Sequence, residues 1–229
     1  MRERTILLIV LLVLGLIAAG VVVGVVVEPL PEIATAEALT VSQALKVFFG
    51  IAAAVFLGVE GLLVFAAVRG HLLGKSRGQV SSGLEMVWIA LPAVLVGVIV
   101  IYSIKALSEI EAPVRDPMVV TVTGKQFEWE FFYVDAGVSS DTLVLPVGSP
   151  VELVFTSTDV IHSFWVPAFG EKVDAVPDMD PPASLTVTPL KAGSYRAVCA
   201  ELCGEGHKAM QAEVLIQDPS AFEAWLGSK

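Results

Sequence analysis

Long apolar runs open the chain and alternating segments close it. Residues 6–27 form an unbroken uncharged run of 22, residues 47–68 carry one charge at Glu60, and residues 86–104 begin just after Glu85 and include Pro92. A helix of 22 residues, rising 1.5 Å at each, spans roughly 33 Å, about the thickness of a bilayer's hydrocarbon core. Each run therefore predicts a membrane-spanning helix. From Met118 onward the period changes to two. In residues 127–133, Phe127, Trp129, Phe131 and Tyr133 fall on one face and Glu128 and Glu130 on the other, the pattern of a half-buried strand. Further strands are predicted over residues 119–123, 142–145, 151–156, 184–188, 194–199 and 212–216, divided by turn signals such as Pro146-Val147-Gly148 and Ala192-Gly193. Seven short strands at this spacing predict a sandwich or Greek-key barrel. Residues 219–226 predict a closing helix packed through Phe222, Trp225 and Leu226.

Composition supports a membrane protein. Of 229 residues, 55% are hydrophobic and 17% charged, and the mean hydropathy is +0.77, too apolar for a soluble domain and far from a disordered chain. Two Cys exclude a disulfide-dense scaffold. Charge divides the chain: residues 1–104 hold six acids and six bases, whereas residues 105–229 hold eighteen acids and eight bases, so the net −10 belongs to the second half. Such a surface repels nucleic acid, which is not an expected partner. The chain is expected to divide into a helix or signal peptide over 1–36, a transmembrane hairpin over 37–107 and an external domain over 108–229.

Bases set the orientation, because short loops rich in Lys and Arg stay inside. Arg2 and Arg4 precede the first run, and Arg69, Lys75 and Arg77 lie between the second and third. The region after Ile104 is therefore expected outside. In a competing reading the first run is a cleaved signal peptide with Ala34-Thr35-Ala36 as the small-residue site, although its apolar core is long for that purpose. Glu60 costs roughly 2.5 kcal/mol or more at mid-membrane, so it is either a protonated or snorkelling Glu near the helix middle or a residue that faces a partner subunit.

The chemistry concentrates between Cys199 and Met210, in Cys199-Ala200-Glu201-Leu202-Cys203-Gly204-Glu205-Gly206-His207-Lys208-Ala209-Met210. Gly204 and Gly206 disfavour a helix, and the stretch lies between predicted strands, so a metal-binding loop is expected. Thiolates, imidazole and thioether together favour copper. A Cys199–Cys203 disulfide and a zinc site built from both Cys, His207 and a further His remain open alternatives. His162, in Asp159-Val160-Ile161-His162-Ser163-Phe164-Trp165-Val166-Pro167, would by itself more often be a core residue than a ligand.

The segments H-S-F-W-V-P and C-A-E-L-C-G-E-G-H-K-A-M resemble subunit II of the haem-copper terminal oxidases, the family of cytochrome c oxidase, over about residues 45–216. The resemblance implies a cupredoxin-like Greek-key β-barrel on membrane helices, holding a binuclear copper centre, CuA. Cys199 and Cys203 would bridge the two ions, His162 and His207 would be terminal ligands, and Met210 and the Glu201 carbonyl would complete the set. The Glu201 carboxylate would reach magnesium at the boundary with subunit I.

The same resemblance implies an oxidoreductase complex in the plasma membrane, with electrons passing from an external donor such as cytochrome c to haem in subunit I, and protons translocated as oxygen is reduced. Subunits I and III and membrane lipid would be the partners. Leu84-Glu85-Met86-Val87-Trp88-Ile89-Ala90-Leu91-Pro92 is similar to the start of the family's last helix, making Glu85 a proton-path candidate and, equally, an interfacial carboxylate favoured by a helix N-terminus. The family strand usually reads G-x-Q-W-x-W, whereas Gly124-Lys125-Gln126-Phe127-Glu128-Trp129 places Phe at the electron-accepting Trp position and leaves Trp129 as the nearby indole. A small copper protein or an iron-sulfur protein then becomes an alternative donor. No C-x-x-C-H occurs, so no c-type haem is expected on this chain. The alternative function is a membrane-anchored copper-delivery or thiol-redox protein using the Cys199/Cys203 pair.

Overall fold

The computed structural model describes residues 2–73 and 82–229. Lys75 and Arg77, which carry part of the orientation argument, lie outside the described residues, as do the side chains of Arg2, Arg4 and Arg69. Two compact units form: residues 1–29 with 43–107, and residues 30–42 with 108–229. This grouping cuts across the boundary drawn at residue 36, because the segment before the second apolar run packs with the strands.

The first unit is helical. The apolar runs become α1 (Arg2–Val26), α2 (Ala36–Leu73) and α3 (Ser82–Ile110), with Pro92 inside α3. Gly20 and Gly24 let α1 meet α2 backbone to backbone: a Cβ at Gly20 would lie 2.6 Å from the Gly50 carbonyl oxygen, and one at Gly24 2.8 Å from that of Lys46. Lys46 Nζ pairs with Glu28 at 2.8 Å. Phe48 meets Tyr102 edge to face at 6.1 Å between centroids, joining α2 to α3. Two described helices are long and apolar enough to cross a membrane, Ala36–Val68 and Glu85–Ile110. Glu60 is exposed on the first of them.

The second unit is a two-sheet β domain. Its strands are β1 (Met118–Lys125), β2 (Glu128–Tyr133), β3 (Val138–Ser140), β4 (Leu143–Pro146), β5 (Val151–Ser157), β6 (His162–Trp165), β7 (Lys172–Ala175), β8 (Ala183–Val187), β9 (Gly193–Cys199) and β10 (Gln211–Gln217), followed by α4 (Pro219–Leu226). One sheet has the order β3-β2-β1-β5-β8 and the other β4-β10-β9-β6-β7. All seven strands expected from the sequence are present. Those not expected, β3, β6 and β7, are three or four residues long. In β6, three successive residues are buried, so no alternation marks it.

Alternation places the core where two faces meet. Trp129, Phe131 and Tyr133 of β2 are buried with Val120 and Val122 of β1, Leu153 and Phe155 of β5 and Phe164 of β6. The Tyr133 hydroxyl donates to the Val144 carbonyl at 2.8 Å and accepts from the Val144 N–H at 2.7 Å, locking β2 to β4. Phe127 departs from the expected face. It sits in the β1–β2 turn, is 37% exposed, and its ring lies over the Gly204–Gly206 stretch instead of the core.

Residues 30–42 complete this domain. Ala34 and Thr35 are fully buried. Ala34 donates its N–H to the Ala168 carbonyl at 2.9 Å and accepts from Leu190 N–H at 2.7 Å, while Ala36 donates to Thr188 at 3.0 Å. Glu37 accepts the Thr188 N–H at 2.9 Å, and Lys191 pairs with Glu32 at 2.8 Å.

Candidate metal centre

The soft-ligand loop leaves β9 at Cys199 and returns into β10 at Gln211, so antiparallel pairing of those strands, Gln211 opposite Val198, closes it to a fixed size. Its ends are bonded: Cys199 donates its N–H to the Met210 carbonyl at 3.0 Å. A short 3-10 turn, His207–Ala209, then directs Met210 inward, where it is fully buried. Pairing of β6 with β9 sets Phe164 opposite Cys199 and brings His162 to the same end of the sheet.

Five side chains named from the sequence converge there. Cys199 Sγ lies 3.8 Å from Cys203 Sγ and 3.9 Å from His162 Nδ1. Cys203 Sγ lies 3.7 Å from His207 Nδ1 and 3.8 Å from Met210 Sδ. The Glu201 carbonyl oxygen is 3.2 Å from Cys199 Sγ, whereas its carboxylate-bearing side chain belongs to an exposed residue. His162 is fully buried, both thiols are nearly so, and His207 is half-buried. The sulfurs are free, and their 3.8 Å separation is nearly twice the ~2.05 Å of a disulfide bond.

These spacings fit metal coordination. Thiolates bound at ~2.3 Å to a shared tetrahedral ion stand about 3.7 Å apart, close to the distances found. The cluster also has two ends. Ligand atoms of His162, Cys199 and Cys203 all lie within 4.8 Å of one another, and His207 stands outside that group, beside Cys203. Burial and the neighbouring Cys199 push the Cys203 thiol up to about 11.

Supporting residues surround the cluster. Asp159 Oδ1 is 2.8 Å from His162 Nε2, and Oδ2 accepts the Gln126 N–H at 2.7 Å. Burial raises the Asp159 carboxyl, but hydrogen bonds from His162, Gln126 and Val160 outweigh it and hold the group down at about 2. The Gln126 side-chain amide donates to the Cys203 carbonyl. Trp129, 3% exposed, meets the His162 ring edge-on at 5.8 Å and Phe164 at 5.1 Å. Gly124 makes this approach possible, since a Cβ there would lie 2.9 Å from His162 Cδ2. Sequence reasoning missed Asp159, Gln126 and Gly124 as parts of the site. The available signal was an acid three residues before His162, and only the fold shows that it faces the ring.

A membrane-anchored, two-sheet domain that brings a pair of thiols, two imidazoles and a thioether into one cluster has the donor set of a metal site. The family described as cytochrome c oxidase subunit II, periplasmic domain, matches residues 137–217. Cytochrome c oxidase subunit 2 of Thermostichus vulcanus is 31% identical over 254 residues, covering 86% of this chain and 77% of that protein. The protein of the same name from Synechocystis sp. is 26% identical over 251 residues, covering 87% and 75%. Among solved structures, the periplasmic domain of subunit II of cytochrome oxidase from Bradyrhizobium japonicum is 28% identical with a TM-score of 0.47, covering 51% of this chain and 94% of that one. The chain belongs to the cytochrome c oxidase subunit II family. It is a membrane-anchored subunit of a haem-copper oxidase, an oxidoreductase complex.

Proposed function

We propose that this chain is the electron-accepting subunit of its oxidase and that Cys199, Cys203, His162, His207, Met210 and the Glu201 carbonyl hold a binuclear copper centre of the CuA type. The observation that carries the reading is the two-ended cluster, in which each thiol has its own imidazole at 3.7–3.9 Å and the two sulfurs stand between them. When bound, the copper pair supplies one-electron redox chemistry. The chain's own task is to keep the ligands in place. Cys203 must surrender a tightly held proton when metal binds, so uptake releases protons. Met210 is buried beside Cys203 and closes the end at which His207 meets solvent.

In this reading the 108–229 region lies on the outer side of a plasma membrane, electrons arrive from an external donor, and haem in subunit I receives them. Exposed Phe127 is the donor-side contact, and Trp129, against His162, is the nearest indole. The acidic outer half favours a basic donor such as cytochrome c. The Glu201 carboxylate is assigned to magnesium at the subunit I boundary, Glu85 to the inner mouth of a proton path, and Glu60 to the face shared with a membrane partner. Subunit III completes the set of expected partners.

Copper analysis with visible and EPR spectra on the full chain in detergent tests the central claim. Two coppers per chain with a delocalised mixed-valence signal are expected. A single exchangeable copper would favour the delivery or thiol-redox alternative, and zinc without colour would remove the electron-transfer reading.

A further inference from the structure

Contacts that link three loops run through one side chain outside the proposed ligand set. Asp159 lies in the turn between β5 and β6, Gln126 in the turn between β1 and β2, and Cys203 in the loop between β9 and β10. Oδ1 of Asp159 receives His162 Nε2 at 2.8 Å and the Val160 N–H at 2.6 Å. Oδ2 receives the Gln126 N–H at 2.7 Å, and the Gln126 amide continues to the Cys203 carbonyl. Ser157 Oγ lies 3.3 Å from Oδ1 and donates to the Val160 carbonyl, which braces the turn itself.

The consequence for His162 follows from imidazole chemistry. A neutral ring carries one N–H, and a carboxylate offers only acceptors, so the ring proton sits on Nε2. The Nδ1 lone pair is then left facing Cys199 Sγ, 3.9 Å away. Because His162 is fully buried, with Trp129 edge-on to the ring and the Gly124 backbone against it, the ring cannot turn to exchange its nitrogens without displacing the core. A charged acceptor also raises the electron density that Nδ1 can give to a metal.

We propose that Asp159 is the positioning residue of the centre: it fixes the tautomer of His162 and, through Gln126, holds the Phe127-bearing turn and the thiol loop in one register. The inference rests on the copper reading above and adds to it a determinant outside the ligand set. It also couples two surfaces. The turn that presents Phe127 to solvent is bonded to the same carboxylate as the buried ligand, so loss of Asp159 loosens the ligand and the outer contact together.

Asp159→Ala, Asp159→Asn and Asp159→Glu in the full copper-loaded chain test this. Asp159→Ala is expected to release copper to a chelator 10- to 100-fold more readily than the wild type, on the order expected for loss of an outer-shell partner, and to change the nitrogen hyperfine coupling assigned to His162. Asp159→Glu should recover most of both, which a merely structural defect would not predict. Should the alanine variant not fold, Asp159→Asn carries the same expectation, since its shape is kept while its charge and one acceptor are lost. Wild-type copper retention and hyperfine coupling in a folded Asp159→Ala or Asp159→Asn variant would overturn the inference. A wild-type chain that forms no binuclear signal would instead overturn the copper reading itself, so the two failures are distinguishable.

Discussion

At the residue scale, the site depends as much on what is missing as on what is present. Gly206 has no Cβ, and one added there would lie 2.4 to 2.7 Å from ring atoms of Phe127, inside any permitted contact. Gly206→Ala is therefore expected to push the Phe127 ring away from the loop and to shift His207, the next residue. If the cluster holds copper as proposed, the copper spectrum should change, with little loss of overall stability because Phe127 is already partly exposed. Removing the ring in the double variant Phe127→Ala, Gly206→Ala should restore the wild-type spectrum, and failure of that rescue would show that the clash is not the cause. Spacing singled out Cys199, Cys203, His207 and Met210, and the family resemblance alone added His162 and the Glu201 carbonyl to the proposed ligands. Phe127 was legible as a departure from the usual Trp, but its place in a turn was not. Period two extends the β2 face one residue too far, because the β1–β2 turn occupies Gln126 and Phe127.

At the element scale, the segment that enters α2 is the point where charge and folding meet. Glu171, ahead of β7, is pushed up by burial and by the nearby carboxylates of Glu37 and Glu111. Its folded form holds a proton more tightly than the unfolded chain does. The folded state is therefore relatively favoured at pH below the raised value and loses that advantage as pH rises through it. Glu171→Gln should raise the unfolding midpoint near pH 7 and change it little near pH 4, as followed by thermal melts in detergent. An equal gain at both pH values would mean that packing, and not ionisation, is responsible. Hydropathy located α1, α2 and α3, but nothing in it marked residues 30–42 as a part of the β domain. Their backbone bonds reach residues more than a hundred positions away, and side-chain pattern carries no trace of those.

At the scale of the whole molecule, the β domain is assembled from two separate stretches of chain. A soluble fragment covering residues 108–229 alone loses the three backbone bonds made by Ala34 and Ala36. At about 1 kcal/mol each, this amounts to roughly 3 kcal/mol before the burial of Ala34 and Ala38 is considered. Such a fragment is expected to unfold at lower denaturant than one in which residues 30–42 are joined to it by a flexible linker. Equal midpoints would show that the segment only rests on the domain.

Sequence pattern alone carried the division into an apolar anchor and an acidic β domain, seven of the ten described strands, and the grouping of Cys199, Cys203, His207 and Met210 in one loop. Each is written in local terms, as run length, period two, or residue spacing within one loop. Tertiary structure was needed to show that His162 meets Cys199 from 37 positions away, that Asp159 contacts its ring, that Phe127 covers the thiol loop, and that residues 30–42 belong to the β domain. These are contacts between distant segments. They arise from strand order and register, which local pattern constrains but does not specify.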